Sequence, residues 1–515
     1  MLYTPLTKKA LVISFEAHKN QKDKSGMPYV FHPFHLAEQM DTENAVCVAL
    51  LHDVVEDTDI TLVDLRKEGF PYEVICALSL LTHHGGVPYM DYIRGIRDNP
   101  LAKQVKLADL AHNSDLTRLD SVDEAARRRV ENYQEAIRYL TAAPDPLKDR
   151  IRGCLIGGAA GDALGNPVEF ISEREIFNRY GAGGIQAYEL NRSSRQAIIS
   201  DDTQMTLFSA AAVLTYLSRG NHRGIAANPR YYANFTYQCW LRTQEMSYEE
   251  AREVDKSDPL RLASVFLIDQ PELFARRAPG ITCLSALHTR RQQLEDKKLV
   301  DSFVKDIINH SKGCGGVMRV APVGMLNTND MDQLDREGAE FAAITHCHSL
   351  GYMPAAVLTH IVHRCLYRKQ RTLREIVEEA RDTVAKLYAD DEHIGTLVSL
   401  IDLAITLSEN DAPDLDNIHK LGEGWVGEEA LVIAVYCCLR YPDDFSKCLI
   451  ASVNHKGDSD STGAIAGNIL GAWLGYDALE DKWKENLELS DTILRLADAM
   501  RDELPFGGYG EPVAD

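Results

Sequence analysis

Paired cysteines are the first thing this chain lacks. Its 11 cysteines are scattered, odd in number and nowhere spaced C-x-x-C, which removes zinc ribbons and leaves no disulfide framework. Cys437 and Cys438 are neighbours, poor geometry for a bridge. Long apolar runs are missing as well. The stretch from Ala430 to Leu439 falls far short of the roughly 20 residues that a bilayer span needs, and Met1 to Lys9 has no apolar signal-peptide core. These absences lead to the expectation of reduced thiols, a soluble cytoplasmic protein and no membrane partner. Positive charge is also scarce. Lys and Arg total 55 against 77 Asp and Glu, a formal net charge of -22. An acidic surface repels phosphate backbones, so nucleic acid stays open only as a modified substrate offered to a local site. There is no tandem repeat, no low-complexity tract and no coiled-coil heptad pattern, which argues against a scaffold.

What is present is a helical chain of 515 residues, 45% of them hydrophobic, too long for one ordinary core. Helical spacing is legible over Lys9 to His18, Phe34 to Met40, Ala45 to Val55, Tyr72 to Leu81 and Val130 to Leu140. Strand-type alternation is rare, so the expected fold class is all-α. Pro144-Asp145-Pro146 stops the helical pattern and a new one starts at Lys148. Two helical domains are therefore expected, at 1–143 and 147–515. Glycines at Gly153, Gly157, Gly161 and Gly165, and again at Gly463, Gly467, Gly471 and Gly475, recur at about one helical turn. They serve either close helix packing or backbone approach to a ligand.

In the first region His52, Asp53, Glu56 and Asp57 follow the apolar run Val46 to Leu51. On a continuous helix His52 would share a face with Glu56, and Asp53 with Asp57. The run carries these groups inward, where unpaired charge is costly and a divalent cation would remove the cost. A lone His-Asp pair is otherwise a satisfied core histidine. His32 and Asp109 are further candidates, with Asn113 one turn beyond Asp109. Ala17 to Gln21, Lys24 to Pro33, His52 to Asp57 and Lys106 to Asn113 together resemble the ordered blocks of the RelA/SpoT-type HD hydrolases, in the compact form of the small alarmone hydrolases. The resemblance covers about the first 140 residues and implies an HD-domain helical bundle. It also implies one Mn2+ held by His32, His52, Asp53 and Asp109, with Glu56 and Asp57 steering or deprotonating the attacking water. Lys22, Lys24 and Asn113 are the implied substrate contacts. The implied substrate is a nucleotide alarmone of the ppGpp type, losing pyrophosphate. Asp23 stands where the long bifunctional enzymes carry arginine, which leaves the base preference open.

In the second region Asp201-Asp202-Thr203 and Asp458-Ser459-Asp460-Ser461-Thr462 offer only oxygen, the chemistry of hard cations. Either cluster alone could be a helix N-cap. Arg150 to Gly157, Gly161 to Phe170, Ile199 to Leu207, Arg277 to Gly280, Gly313 to Pro322 and Asn454 to Gly467 resemble the ADP-ribosylglycohydrolases, a larger helical fold. This resemblance implies two Mg2+ or Mn2+ ions held by Ser200, Asp201, Asp202, Asp458, Asp460 and Ser461. Glu169 is then a ligand or gating acid, and Asp202 or Glu169 the base. Gly313, Gly315 and Gly316 would bring amides to a diphosphate, although a Gly-Cys-Gly-Gly string is also an ordinary turn. His346 and His348 would line the pocket or lie on a helix surface.

The expectation is thus a bifunctional metal-dependent hydrolase acting on an alarmone and on an ADP-ribosylated protein or small molecule, in detoxification or toxin immunity. One rival makes the first domain a phosphatase on another nucleotide such as NADPH. A second makes it a non-catalytic nucleotide-binding regulator of the other domain.

Overall fold

The computed structural model describes residues 2–23, 26–83, 89–97, 99–118, 123–141, 145–223, 227–253, 266–298, 300–367 and 370–502. Among them the chain is all helical, with isolated β-bridges and no strand. It divides into two compact units, Met1–Pro144 and Asp145–Asp515. Each has a hydrophobic core built from its own residues.

Unit 1 is organised around α1 (Pro5–His18), α2 (Phe31–Glu38), α3 (Glu43–Leu51), α4 (Val54–Asp57), α5 (Tyr72–Leu81), α6 (Pro100–Ser114) and α7 (Glu124–Thr141). The central helix is α3, started by Thr42, whose hydroxyl accepts the Ala45 N–H at 3.2 Å. Ala45 to Leu51 are each at most 1% exposed, so beyond Glu43 and Asn44 the helix has no solvent face, and it packs against α1, α2, α5 and α6. Helix α6 opens on an Asn99 cap with Pro100 in its first turn.

The expected single helix from Ala45 to Val55 is broken in two. The His52 ring Nδ1 lies 2.9 Å from the Ala49 carbonyl, an acceptor that the next turn of a continuous helix would use. The chain turns at His52–Asp53 and restarts as α4. The second new helix also begins earlier than expected. Asp145 accepts the N–H groups of Leu147 and Lys148, and Pro146 occupies the first turn. Pro146 therefore opens the helix and is no part of the break.

Unit 2 is built on α8 (Pro146–Gly165), α9 (Asp201–Arg223), α10 (Met331–Ala343), α11 (Ser349–Leu366), α12 (Gly427–Arg440) and α13 (Ser459–Leu474). Helices α8 and α13 form its most intimate pair. A Cβ placed on Gly153, Gly157, Gly161 or Gly165 would lie 1.9–2.4 Å from the carbonyl oxygen of Gly471, Gly467, Gly463 or Ser459. The two backbones touch along this stripe, so these glycines serve helix packing. The pairing carries the loop after α8 to the first turn of α13.

Candidate metal centres

In unit 1, α2 supplies His32, the turn after α3 supplies His52 and Asp53, and α6 supplies Asp109. Ligand atoms of His32, His52 and Asp109 lie within 4.8 Å of one another. His32 Nε2 is 3.2 Å from Asp109 Oδ1 and 3.7 Å from Asp53 Oδ2, and His52 Nε2 is 3.0 Å from Asp53 Oδ2. All four expected ligands thus converge. Each ring's other nitrogen is already engaged: His52 Nδ1 by the Ala49 carbonyl, and His32 Nδ1 by His112 Nδ1 at 2.7 Å. Such bonds leave Nε2 as the free donor on each ring.

Burial opposes charge on His52, but Asp53 and Asp109 overcome it and raise the imidazole to about 9. Burial likewise opposes ionisation of Asp53, yet His52 holds it down at about 2. Asp109 is held well below the ordinary carboxylate range against its burial by Lys106 and His32. Tyr29 donates to Asp53 Oδ2 at 2.6 Å, while Lys106 and Asn113 donate to Asp109 at 2.9 and 2.5 Å. His52 Nε2, buried and 3.0 Å from Asp53 Oδ2, is nevertheless not aligned for a hydrogen bond to it. This nitrogen, close to Asp53, Asp109 and a second imidazole, fits a single divalent cation with mixed nitrogen and oxygen ligands.

A cavity of about 520 Å³ opens onto this cluster and is lined also by Lys22, Glu56, Asp57 and Asn113. Glu56 accepts the His83 N–H at 2.9 Å. Burial, with Asp53 and Glu56, raises the carboxyl of Asp57. Lys24 lies outside the described residues. Arg118, unnoticed in the sequence, lines the same cavity and pairs with Asp23 at 3.0 Å. Its only sequence signal was the anomalous acid at position 23.

In unit 2, ligand atoms of Glu169, Asp458 and Asp460 lie within 4.8 Å of one another. Asp458 both joins this cluster and caps α13, accepting the Ser461 N–H at 3.2 Å, so the capping and cluster alternatives hold together there. At the start of α9 the capping is done from elsewhere. Asp162, fully buried on α8, accepts the N–H groups of Ser200 at 2.9 Å and Thr203 at 3.0 Å, and the Thr203 hydroxyl. Asp162 was not singled out from sequence, although it sits inside a quoted motif. Ser200 Oγ accepts the Asp202 N–H at 3.2 Å.

The side chains of Asp201 and Asp202 are therefore not spent on the helix end. Burial and the charge of Asp162 push Asp201 up to about 8, and burial with Asp162 and Asp201 raises Asp202 strongly. Burial together with Asp458 and Asp201 raises Glu169 to about 8. Burial and Asp202 raise Asp460 well above its usual range. Asp202 Oδ2 is buried without a partner. Crowded carboxylates with an orphaned oxygen fit hard divalent cations, which would remove the repulsion. Ser461 Oγ lies 3.8 Å from Met318 Sδ at the same helix end.

The loop Gly313 to Gly316 forms a short 3-10 turn opened by Gly313. The amides of Gly313 and Cys314 are bonded to Ser311 Oγ and the Trp425 carbonyl, both at 3.3 Å. His346 is buried beneath it, and burial with Arg319 lowers its imidazole to about 3. His348 caps α11 through Leu350 and stacks on His393 at 4.7 Å.

The ADP-ribosylglycohydrolase family model matches residues 143–506. The chain belongs to the ADP-ribosylglycohydrolase family. It is 25% identical to the ADP-ribosyl-[dinitrogen reductase] glycohydrolase of Rhodospirillum rubrum, over 69% of this chain and 96% of that protein. It is 24% identical to the ADP-ribosylarginine hydrolase Tri1 of Pseudomonas putida (strain GB-1), over 72% of this chain and 82% of the relative. With the ADP-ribosylhydrolase ARH3 of Homo sapiens the identity is 26%, over 37% of this chain and 61% of that protein. Both carboxylate clusters of unit 2 fall inside the family match. Among the described residues no helix is long and apolar enough to cross a membrane.

Proposed function

We propose that unit 2 hydrolyses an ADP-ribosyl N- or O-glycosidic linkage and that unit 1 is a second metal-dependent hydrolase acting on a nucleotide. The unit 2 reading is carried by the converging acids Glu169, Asp458 and Asp460, beside the unpartnered Oδ2 of Asp202, within a family-matched segment. Ser200, Asp201, Asp202, Asp458, Asp460 and Ser461 would hold two Mg2+ or Mn2+ ions. Bound there, the cations would supply Lewis acidity toward a water and the ribose hydroxyls. Asp202 or Glu169 would take the proton of the water that attacks the anomeric carbon. Gly315 and Gly316 would bring backbone to the diphosphate, since the amides of Gly313 and Cys314 are already bonded. Relatives named for arginine and dinitrogen reductase linkages support a modified protein as the substrate; a small-molecule substrate remains consistent with the same chemistry.

In unit 1 the convergence of His32, His52 and Asp109 ligand atoms, with Asp53 Oδ2 3.0 Å from His52 Nε2, carries the reading. His32, His52, Asp53 and Asp109 would hold one Mn2+, a source of Lewis acidity toward water and a phosphoryl oxygen. Asp57 or Glu56 would receive the proton. Lys22, Lys24 and Asn113 would face the substrate's phosphates and ribose, and the resemblance to small alarmone hydrolases supports a ppGpp-type alarmone. The pairing of Asp23 with Arg118 at the cavity wall favours a second reading. It changes the charge pattern offered to the base or a distal phosphate, as suits an adenine alarmone or NADPH.

One panel tests both units. Purified full-length protein is given ppGpp, its adenine analogue, NADPH and an ADP-ribosylated protein, with Mn2+ and Mg2+. Phosphate, pyrophosphate and ADP-ribose are measured separately. Release of ADP-ribose and of pyrophosphate is expected. Phosphate from NADPH without pyrophosphate would move unit 1 to the second reading. No product from any substrate would sink the proposal.

A further inference from the structure

Of the eleven cysteines only Cys76 and Cys314 are not buried, and Cys314 faces the carboxylates of unit 2. Its thiol donates to Asp458 Oδ2 at 2.6 Å. The backbone fixes that direction. The Cys314 N–H is bonded to the Trp425 carbonyl, and the Cys314 carbonyl accepts from Val317 and Met318 at 2.8 and 3.2 Å. The next residue is closely packed: a Cβ on Gly315 would lie 3.0 Å from both Cys283 Sγ and His346 Cε1. Two further observations mark the space before the thiol as a place for a ligand. Asp458 belongs to the three-carboxylate cluster with Glu169 and Asp460. Asp202, only 3% exposed, has an Oδ2 without a partner and acts electrostatically on the same thiol.

Oxygen-only ligands select hard cations, whereas a sulfur donor raises affinity for soft ones. We propose that Cys314 is an additional ligand through which this site captures thiophilic divalent cations, Zn2+ or Cd2+, in a mixed set with Asp458. Binding forms one metal–sulfur bond and releases the thiol proton to solvent, with no change in oxidation state. A cation seated between Cys314 and Asp458 uses a carboxylate that the pair of hard cations needs, so thiophilic cations act as inhibitors. The inference rests on reading the carboxylate cluster as a cation site.

The test uses the full-length protein, stripped of metal and titrated with Cd2+ alone while the ultraviolet thiolate-to-cadmium charge-transfer band is followed. Mn2+ binding is measured in parallel by electron paramagnetic resonance. Wild type, Cys76→Ser, Cys314→Ser and Asp460→Asn are compared, and the Mn2+ titrations are run with His52→Ala and Asp53→Ala added to each so that unit 1 contributes no Mn2+ signal. The band is expected in wild type and Cys76→Ser and absent in Cys314→Ser. Cys314→Ser should lose at least about tenfold in Cd2+ affinity and change Mn2+ affinity less than about threefold; its retained Mn2+ binding also reports an intact fold. A band that persists in Cys314→Ser overturns the inference. Mn2+ binding that depends on Asp460, without a band in wild type, sinks this inference alone. Mn2+ binding that is unchanged in Asp460→Asn sinks the underlying reading of the site as well.

Discussion

Asp162 shows how a single residue sets the electrostatics of a site without entering it. Its carboxylate takes the N–H groups and the hydroxyl at the start of α9. A helix N-terminus attracts negative charge and needs acceptors. Had Asp201 or Asp202 filled that role, as their position at a helix start allows, neither would be free for a cation. Asp162→Ala leaves three buried donors without an acceptor, at an expected cost on the order of 3–5 kcal/mol. Asp162→Asn keeps one acceptor oxygen and should recover part of it. Denaturant unfolding of the two variants measures this. An Asp162→Ala protein within about 1 kcal/mol of wild type would show that the α9 terminus does not depend on the residue.

At the scale of the helix the glycine stripe between α8 and α13 controls where the acids lie. Gly161→Ala would put a Cβ 1.9 Å from the Gly463 carbonyl oxygen, against backbone that cannot yield as a side chain does. A loss of at least about 3 kcal/mol is expected, together with loss of the register that brings Glu169 to Asp458 and Asp460. Gly395→Ala is the contrast. It lies in the helix Ile394–Ser408 with nothing within 4 Å of the added Cβ, and should gain up to about 1 kcal/mol. Melting temperatures that move alike in the two variants would refute the packing argument. The four-residue glycine spacing was plain in the sequence, but its partner was not, because nothing local says which two of many helices meet. Tyr72–Leu81 was legible to the residue, since its apolar periodicity ends where the helix does. The split at His52 was not, because it depends on a side chain competing for one carbonyl. The residue types of both clusters were readable from motif spacing. The roles of Asp162 and Arg118 were not, being set by contacts across 38 and 95 residues of chain.

For the whole molecule, the two ligand sets divide as the cores do. Imidazole and carboxylate converge within residues 32–109, carboxylates without imidazole within residues 169–460, and each core cluster draws on one unit only. Ligand sets this different favour different cations, so the two reactions should fail independently. The expected outcome is a double dissociation in the full-length chain. His52→Ala with Asp53→Ala should lower nucleotide hydrolysis by at least about 10³-fold and change release of ADP-ribose less than about twofold. Asp202→Asn with Asp460→Asn should do the reverse. Initial rates for both products, taken with each variant under saturating metal, decide the matter. If the unit 1 variant slows or accelerates release of ADP-ribose several-fold while its own chemistry was never measurable, the first unit is a nucleotide-binding regulator rather than an enzyme. If each variant loses only its own product, the chain is two hydrolases whose sites share a polypeptide and not a mechanism.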